Sequence, residues 1–102
     1  MNTLHTAMTG DSLTISAGKS LDLDNYAAIK SLLHTHAHDH FAHCVVDLTA
    51  TEQLASSGLG ILLILKDELN ANRFSLRVKN PNVAYTLDAA NMHKQFDIAQ
   101  IA

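Results

Sequence analysis

The spacing of hydrophobic and polar residues changes along this chain, and the changes predict strands that alternate with helices. Polar and apolar residues alternate at residues 12–16 and 74–78, which is the period of a half-buried strand. Residues 44–48 are mostly apolar, and such a run is typical of a strand buried on both faces. A shorter strand is predicted at residues 19–21, so that the fold begins with a hairpin formed by this strand and residues 12–16.

Three other segments carry apolar residues at three- and four-residue spacing, which is the period of an amphipathic helix. These helices are predicted at residues 25–36, 56–72 and 83–91. Asp22 or Asp24 supplies the N-cap of the first helix. The third helix follows the turn signal Asn80-Pro81-Asn82, in which Asn82 is the candidate cap.

The order of these elements predicts the fold class. Residues 49–55 form a loop, and Phe96, Ile98 and Ile101 form a last apolar patch, either a short strand or a docked tail. Strands that alternate with helices pair at least partly in parallel within one sheet. The predicted fold is α/β, with a single small mixed sheet of four to five strands and helices packed on it. We expect one domain over residues 1–102.

Composition and charge limit the function. The chain has 102 residues, of which 47% are hydrophobic, and its net charge is −3, so we expect a folded core and no nucleic-acid partner. The longest apolar run, residues 58–65, is shorter than the ~20 residues that cross a bilayer. Residues 1–10 lack the pattern of a signal peptide. We therefore expect a cytoplasmic protein without direct membrane insertion, in which the lone Cys44 is a buried, inert thiol.

The junction between the strand at residues 44–48 and the second helix carries the most informative motif. Ser56-Ser57-Gly58-Leu59-Gly60 follows the loop and opens a strongly apolar helix, which begins at Ser56 or Ser57. The first N–H groups of a helix have no partner inside the helix. A serine hydroxyl can cap them, and a phosphate carried on that hydroxyl can also be bound there.

A strand that ends in Val-Val-Asp-Leu, a loop, and then Ser-Ser-Gly-Leu-Gly resembles the STAS domain, the family of bacterial anti-sigma-factor antagonists. The segment from Gly18 to Asp22 also resembles the family's glycine-to-aspartate segment before the first helix. The resemblance extends through residues 74–83 and 96–98 and covers nearly the whole chain. Two positions depart from the family: Ala55 replaces a common aspartate, and two residues rather than one separate Gly18 from Leu21.

The resemblance implies a phosphorylation-controlled protein-interaction switch that is not an enzyme and needs no cofactor. Ser56 matches the residue that a partner serine kinase, often itself an anti-sigma factor, phosphorylates in the family. A metal-dependent serine phosphatase removes the phosphate, and the unphosphorylated form binds the partner. The partner-binding residues are expected in the glycine-to-aspartate segment and in the exposed surroundings of Ser56. They are Asp22, Thr49, Thr51, Glu52, Ser57, Gly58 and Leu59.

A histidine cluster provides an alternative. Five of the seven histidines lie between His34 and His43. In a continued helix His36, His40 and His43 would share one face, whereas in a loop His38 and His40 would converge with Asp39. Imidazoles bind zinc, copper or nickel, but the spacing matches no established zinc signature, and a solvated helix end and loop is the structural alternative. The other hypotheses are therefore a metal- or pH-responsive binding module at this cluster, or an unphosphorylated STAS subunit of a larger assembly.

Overall fold

Strands and helices alternate along residues 3–101, the part of the chain that the computed structural model describes. The strands are β1 (Leu4–Thr9), β2 (Ser12–Ala17), β3 (Ser20–Leu21), β4 (His40–Leu48), β5 (Gln53–Leu54), β6 (Asn70–Val78) and β7 (Asp97–Gln100). The helices are α1 (Tyr26–Thr35), α2 (Ser56–Glu68) and α3 (Pro81–Ala89). Short 3₁₀ helices lie at Leu23–Asn25 and Met92–Lys94.

The main sheet has five strands in the order β1-β2-β4-β6-β7. β1 is antiparallel to β2, whereas β2, β4, β6 and β7 run parallel. β3 and β5 form a separate two-stranded parallel sheet. The predicted fold class, a mixed sheet of four to five strands with helices packed on it, is confirmed.

The predicted hairpin of residues 12–16 and 19–21 is wrong, because these two strands do not pair with each other. β2 pairs with β1 around Gly10, whose φ is 60°, while Ser20–Leu21 pairs with Gln53–Leu54. β1 was missed because every residue of it except Leu4 is exposed. Its apolar and polar residues therefore do not alternate as they do in a half-buried strand. β5 was missed because a two-residue strand inside a polar loop carries no periodic signal.

Several element ends also differ from the prediction. β4 begins at His40 rather than Cys44, and β6 begins at Asn70. α2 ends at Glu68 rather than near residue 72, because Leu69 is extended (φ −84°, ψ 138°) and β6 follows at once. The cap of α3 is Asn80 rather than Asn82, since the Asn80 side chain accepts hydrogen bonds from the N–H groups of Asn82 and Val83.

Alternate residues of the central strands form the core. Leu13 and Ile15 of β2, and Val46 of β4, are buried with Ile29 of α1 and Leu62 of α2 in one hydrophobic cluster. On β4, the residues that alternate with the buried ones are only half-buried. They are His43, Val45 and Asp47. The expectation that this strand is buried on both faces is therefore wrong, since its burial is confined to the face that packs on the helices.

The parallel strands place two loops at one edge of the sheet. Leu48, the last residue of β4, is in register with Val78, the last residue of β6. The loop before α2 and the link before α3 therefore leave the sheet side by side. This is the edge at which ligands and partners bind most often in open α/β sheets.

Candidate functional site

The loop at residues 49–55 is held against the segment that contains β3. The buried Thr51 hydroxyl donates to the Gly18 carbonyl oxygen at 2.7 Å. The N–H of Glu52 donates to the Lys19 carbonyl at 2.7 Å, and the N–H of Ala55 donates to the Leu21 carbonyl at 3.2 Å. These three hydrogen bonds between the loop and the β3 segment fix the point at which α2 begins.

Ser56 is the first residue of α2, and its side chain is exposed. The N-cap is Ala55 (φ −79°, ψ 166°), which has no side-chain acceptor. The interpretation of Ser56 as a simple N-cap is therefore wrong. Within residues 3–101, neither the Ser56 hydroxyl nor the backbone N–H groups of Ser56 and Ser57 make a hydrogen bond. The start of α2 thus presents a free hydroxyl beside two free backbone donors.

Gly58 allows the first turn of α2 to lie directly on the small sheet. A Cβ at this position would overlap the carbonyl oxygen of Leu21 and lie 2.8 Å from Cδ1 of Leu54. Gly60 differs, because a Cβ there would meet nothing within 4 Å. The close approach at Gly58 therefore explains one glycine of the motif and leaves the other without a packing role.

The predicted partner-binding residues divide by exposure. Thr51 is fully buried and Gly58 is buried. The expectation that Thr51 is exposed is therefore wrong. Both residues support the site from the interior of the protein and do not form its surface. Ser56 and Glu52 are exposed. The half-buried residues among the predicted set are Asp22, Thr49, Ser57 and Leu59.

Asp22 caps the 3₁₀ helix Leu23–Asn25. Its carboxylate accepts from the N–H of Asp24 at 3.0 Å, and its own N–H donates to the side-chain oxygen of Asn25 at 3.0 Å. Asn25 is almost fully buried. This reciprocal capping box fixes the conformation of Asp22. Asp22 directly follows Leu21, whose carbonyl oxygen lies against Gly58.

Asp47 acts as a turn residue at the end of β4. Its Oδ1 atom accepts from the N–H of Thr49 at 2.9 Å and from the Thr49 hydroxyl at 2.7 Å. Its Oδ2 atom lies 3.8 Å from a guanidinium nitrogen of Arg77. These contacts orient Thr49 and leave Asp47 with a structural role.

An open groove of about 410 Å³ lies between residues 49–52 and residues 79–81. Lys79, Asn80 and Pro81 line it, and none of the three was predicted as a site residue. A signal for them exists in the sequence, because residues that follow neighbouring parallel strands meet at the same edge of the sheet. The groove joins the loop before α2 to the start of α3.

Exposed apolar side chains also lie on α2 and in the segment that follows β3. Leu63 of α2 is 38% exposed, and Leu23 is 69% exposed. Leu59 and Leu63 follow Ser56 at i+3 and i+7, which places all three on one side of α2. Leu23 follows Leu21 by two residues. The exposure of Leu23 was not predicted, and its position between two aspartates is the one signal for it in the sequence.

The histidine cluster does not form the candidate metal site. His36 contacts Asp39 at 2.8 Å, His40 contacts Asn72 at 3.1 Å, and His43 contacts Ser75 at 2.7 Å. His40 and His43 lie in β4, whereas His36 and His38 lie before it. Over residues 3–101 no group of three histidine, cysteine or acidic side chains converges as a metal site. Neither the continued helix nor the converging loop is present.

Cys44 is the one cysteine of the chain, and it is buried in β4. Burial raises the pKa of its thiol to about 11, because the apolar surroundings disfavour the thiolate. A thiol that stays protonated is a poor nucleophile and a poor metal ligand. Cys44 thus contributes packing to the core.

Between residues 3 and 101, the structure contains no helix with the length and apolar character needed to cross a bilayer.

Comparison with known proteins places this geometry in a family. A family model described as "Mlab, STAS domain" matches residues 4–100, which is nearly the entire chain. Comparison with curated protein sequences gives no match.

Solved structures of anti-sigma-factor antagonists have a similar fold. An anti-sigma factor antagonist from Mycobacterium paratuberculosis is 21% identical, with a TM-score of 0.82, over 96% of this chain and 85% of that chain. RsbS from Moorella thermoacetica is 20% identical, with a TM-score of 0.72, over 97% and 87% of the two chains. The Bacillus cell fate determinant SpoIIAA in its phosphorylated form is 16% identical, with a TM-score of 0.64, over 98% and 92%. At these identities the similarity establishes the fold.

Proposed function

The chain belongs to the STAS-domain family, and we propose that it is a protein-interaction switch controlled by reversible phosphorylation of Ser56. In this proposal a serine kinase, which is an anti-sigma-factor-like protein or belongs to its complex, phosphorylates the Ser56 hydroxyl. A metal-dependent serine phosphatase removes the phosphate. The unphosphorylated protein binds the partner, and the phosphorylated protein releases it. This chain supplies the modified residue and the contact surface rather than a catalytic group.

The observation that carries the proposal is that, within residues 3–101, the Ser56 hydroxyl at the first position of α2 and the N–H groups of Ser56 and Ser57 have no hydrogen-bond partner. A phosphate adds about −1.5 to −2 charges at neutral pH. The positive end of the helix dipole stabilises an anion at an exposed helix start by about 0.3–1 kcal/mol. The fold can therefore accept the phosphate without losing an existing hydrogen bond of the serine.

The exposed apolar side chains supply the reason why the phosphate changes binding. A partner that covers Leu59 and Leu63 also covers Ser56, since the three lie on one side of α2. Phosphate on Ser56 would then lose its water without gaining a fixed counterion, and burial of an unpaired charge is strongly unfavourable. The modification thus acts on the complex more than on the free protein.

Ala55 is compatible with this mechanism. An aspartate at the N-cap would accept hydrogen bonds from the first turn of α2 and would place a negative charge beside the phosphate. With Ala55 those donors remain available to a phosphate on Ser56. SpoIIAA, which has the same fold, is known in a phosphorylated form, and this likeness supports the proposal at the level of the family.

Ala55 also favours a second candidate function, a STAS subunit that binds a permanent partner and is never phosphorylated. In many antagonists an aspartate precedes the phosphorylated serine, and Ala55 replaces it here. Leu23 and Leu63 are exposed in the free chain, and a permanent partner would cover them. The two candidates share the contact surface and differ only in the modification of Ser56.

Intact-mass analysis of the protein purified from its native cells, with phosphatase inhibitors present, distinguishes the candidates. We expect the wild-type protein to carry one phosphoryl group in part of the population, and we expect Ser57→Ala to retain it. Ser56→Ala should carry none. A phosphoryl group that persists in Ser56→Ala would contradict the site, and a wild-type protein that is unmodified under all growth conditions would favour the permanent subunit.

A further inference from the structure

A second concave surface lies at the end of the sheet opposite Ser56. It is an open groove of about 420 Å³ between the end of α2, the first half of β6 and the 3₁₀ helix Met92–Lys94. Ser56 and Lys66 are ten residues apart on α2, so the groove begins about 15 Å along the helix axis from Ser56. The proposed switch does not use this surface.

The groove concentrates the positive charge of an acidic chain. Lys66, Arg73 and Lys94 line it, and these are three of only seven lysines and arginines in the sequence. His93 also lines it and adds positive charge when protonated. Asp97 is the single carboxylate among the lining residues, although the chain has ten acidic residues. The groove therefore carries a net positive charge on a molecule whose net charge is −3.

The cationic groups retain free hydrogen-bond donors. Arg73 donates from Nε to Asp97 at 3.0 Å, which leaves the two terminal nitrogens of its guanidinium without a partner among residues 3–101. Lys66 donates to the neutral side chain of Gln95 at 2.9 Å, so its charge is uncompensated there. Lys94 has no carboxylate within 4.0 Å in the described part of the chain. Three donor groups are thus available to an incoming anion.

The surroundings of the groove favour a narrow ligand. Asp67 and Glu68 follow Lys66 on α2 and are exposed, and Asp88 lies 3.9 Å from His93. A flat anionic surface such as a membrane would meet these carboxylates and be repelled. A narrow chain seated in the groove would contact the lining residues, among which Asp97 is the single carboxylate. The buried Phe96 and the half-buried Phe74, packed edge to face at 6.2 Å, give the groove a firm floor.

We infer that this groove is a docking site for a carboxylate-rich segment of a protein partner. The inference rests on the proposed function only in taking the ligand to be part of a protein. Contact at this groove increases the rate of association by electrostatic attraction and does not require Ser56. The partner would then be held at two ends of α2, of which phosphorylation controls one.

Fluorescence anisotropy with the full chain tests the inference. The probe is a fluorescein-labelled peptide of alternating serine and glutamate residues, and its control has glutamine in place of glutamate. We expect the glutamate peptide to bind at low ionic strength and to bind more weakly at ~0.15 M salt, where screening acts over about 8 Å. The variant Lys66→Gln/Lys94→Gln should weaken binding by about tenfold or more.

A matched variant separates groove binding from net charge. Lys30→Gln/Arg77→Gln removes the same charge from exposed residues outside the groove, and it should change the affinity less than about threefold. Ser56→Asp should also bind the peptide like the wild type, and this result is independent of whether Ser56 is phosphorylated in cells. A circular dichroism melt of each variant establishes that it is folded.

Three results would overturn the inference. The first is no binding of the glutamate peptide by the wild type at low salt. The second is an equal loss of binding in the two double variants, which would indicate attraction by net charge alone. The third is sedimentation of the wild type with phosphatidylserine vesicles that depends on Lys66 and Lys94, which would make a membrane the ligand.

Discussion

Gly58 and Gly60 stand two residues apart in the same motif, yet their surroundings give opposite expectations for alanine. Gly58→Ala places a methyl group against the Leu21 carbonyl and the Leu54 side chain, and overpacking of this kind costs about 1–3 kcal/mol. Gly60→Ala meets open space within α2 and should stabilise the protein by about 0.5–1 kcal/mol through helix propensity. Urea unfolding measures both. Equal effects of the two substitutions would contradict the close approach at Gly58.

Cys44 gives a second prediction at the scale of the residue, because burial raises the pKa of its thiol from 9.0 to about 11. The folded protein should react very slowly with a thiol-specific disulfide reagent at about pH 8, and the urea-unfolded protein should react rapidly. The stability that this thiol contributes is fully present below pH 9.0 and is lost as the pH rises towards about 11. Rapid reaction of the folded protein would show that Cys44 is accessible.

The start of α3 provides the prediction at the scale of the element. Asn80 accepts from the N–H groups of Asn82 and Val83 at 2.8 and 3.3 Å, so Asn80→Ala should lower the free energy of unfolding by about 1 kcal/mol. Asn82→Ala is the matched control, because within residues 3–101 Asn82 bonds Asn80 and Thr86 through its backbone N–H and carbonyl and not through its side chain. Its effect should stay within about 0.5 kcal/mol. The reverse order of the two effects would restore Asn82 as the cap.

The same scale shows what the sequence pattern predicts and what it misses. The cores of β2, β4, β6 and all three helices were predicted, because each carries a clear hydrophobic period. β1 and β5 were not, since one is exposed and the other has two residues. The end of α2 and the start of β6 were misplaced because Leu69 fits a helical pattern equally well. Only its extended backbone separates the two elements.

At the scale of the whole molecule, the order of elements was sufficient to predict a mixed sheet, and the motif was sufficient to predict that a helix begins at Ser56. The sequence did not reveal that Thr51 is buried, because a threonine in a polar loop gives no sign that its hydroxyl bonds the Gly18 carbonyl. It also did not join Lys79 and Asn80 to the loop at residues 49–52, since that contact follows from the register of β4 and β6. Both features therefore depend on contacts between residues that are distant in the sequence, and the local hydrophobic pattern does not indicate such contacts.

The most direct test of the switch compares the proteins retained by immobilised wild type, Ser56→Ala and Ser56→Asp from a lysate of the native cells, by quantitative mass spectrometry. Far-ultraviolet circular dichroism of the three proteins should be the same, because Ser56 is exposed and its side chain makes no hydrogen bond within residues 3–101. We predict a partner that wild type and Ser56→Ala retain and that Ser56→Asp retains about tenfold less or not at all. Equal retention of every bound protein by Ser56→Asp and by wild type would contradict control of binding by charge at Ser56.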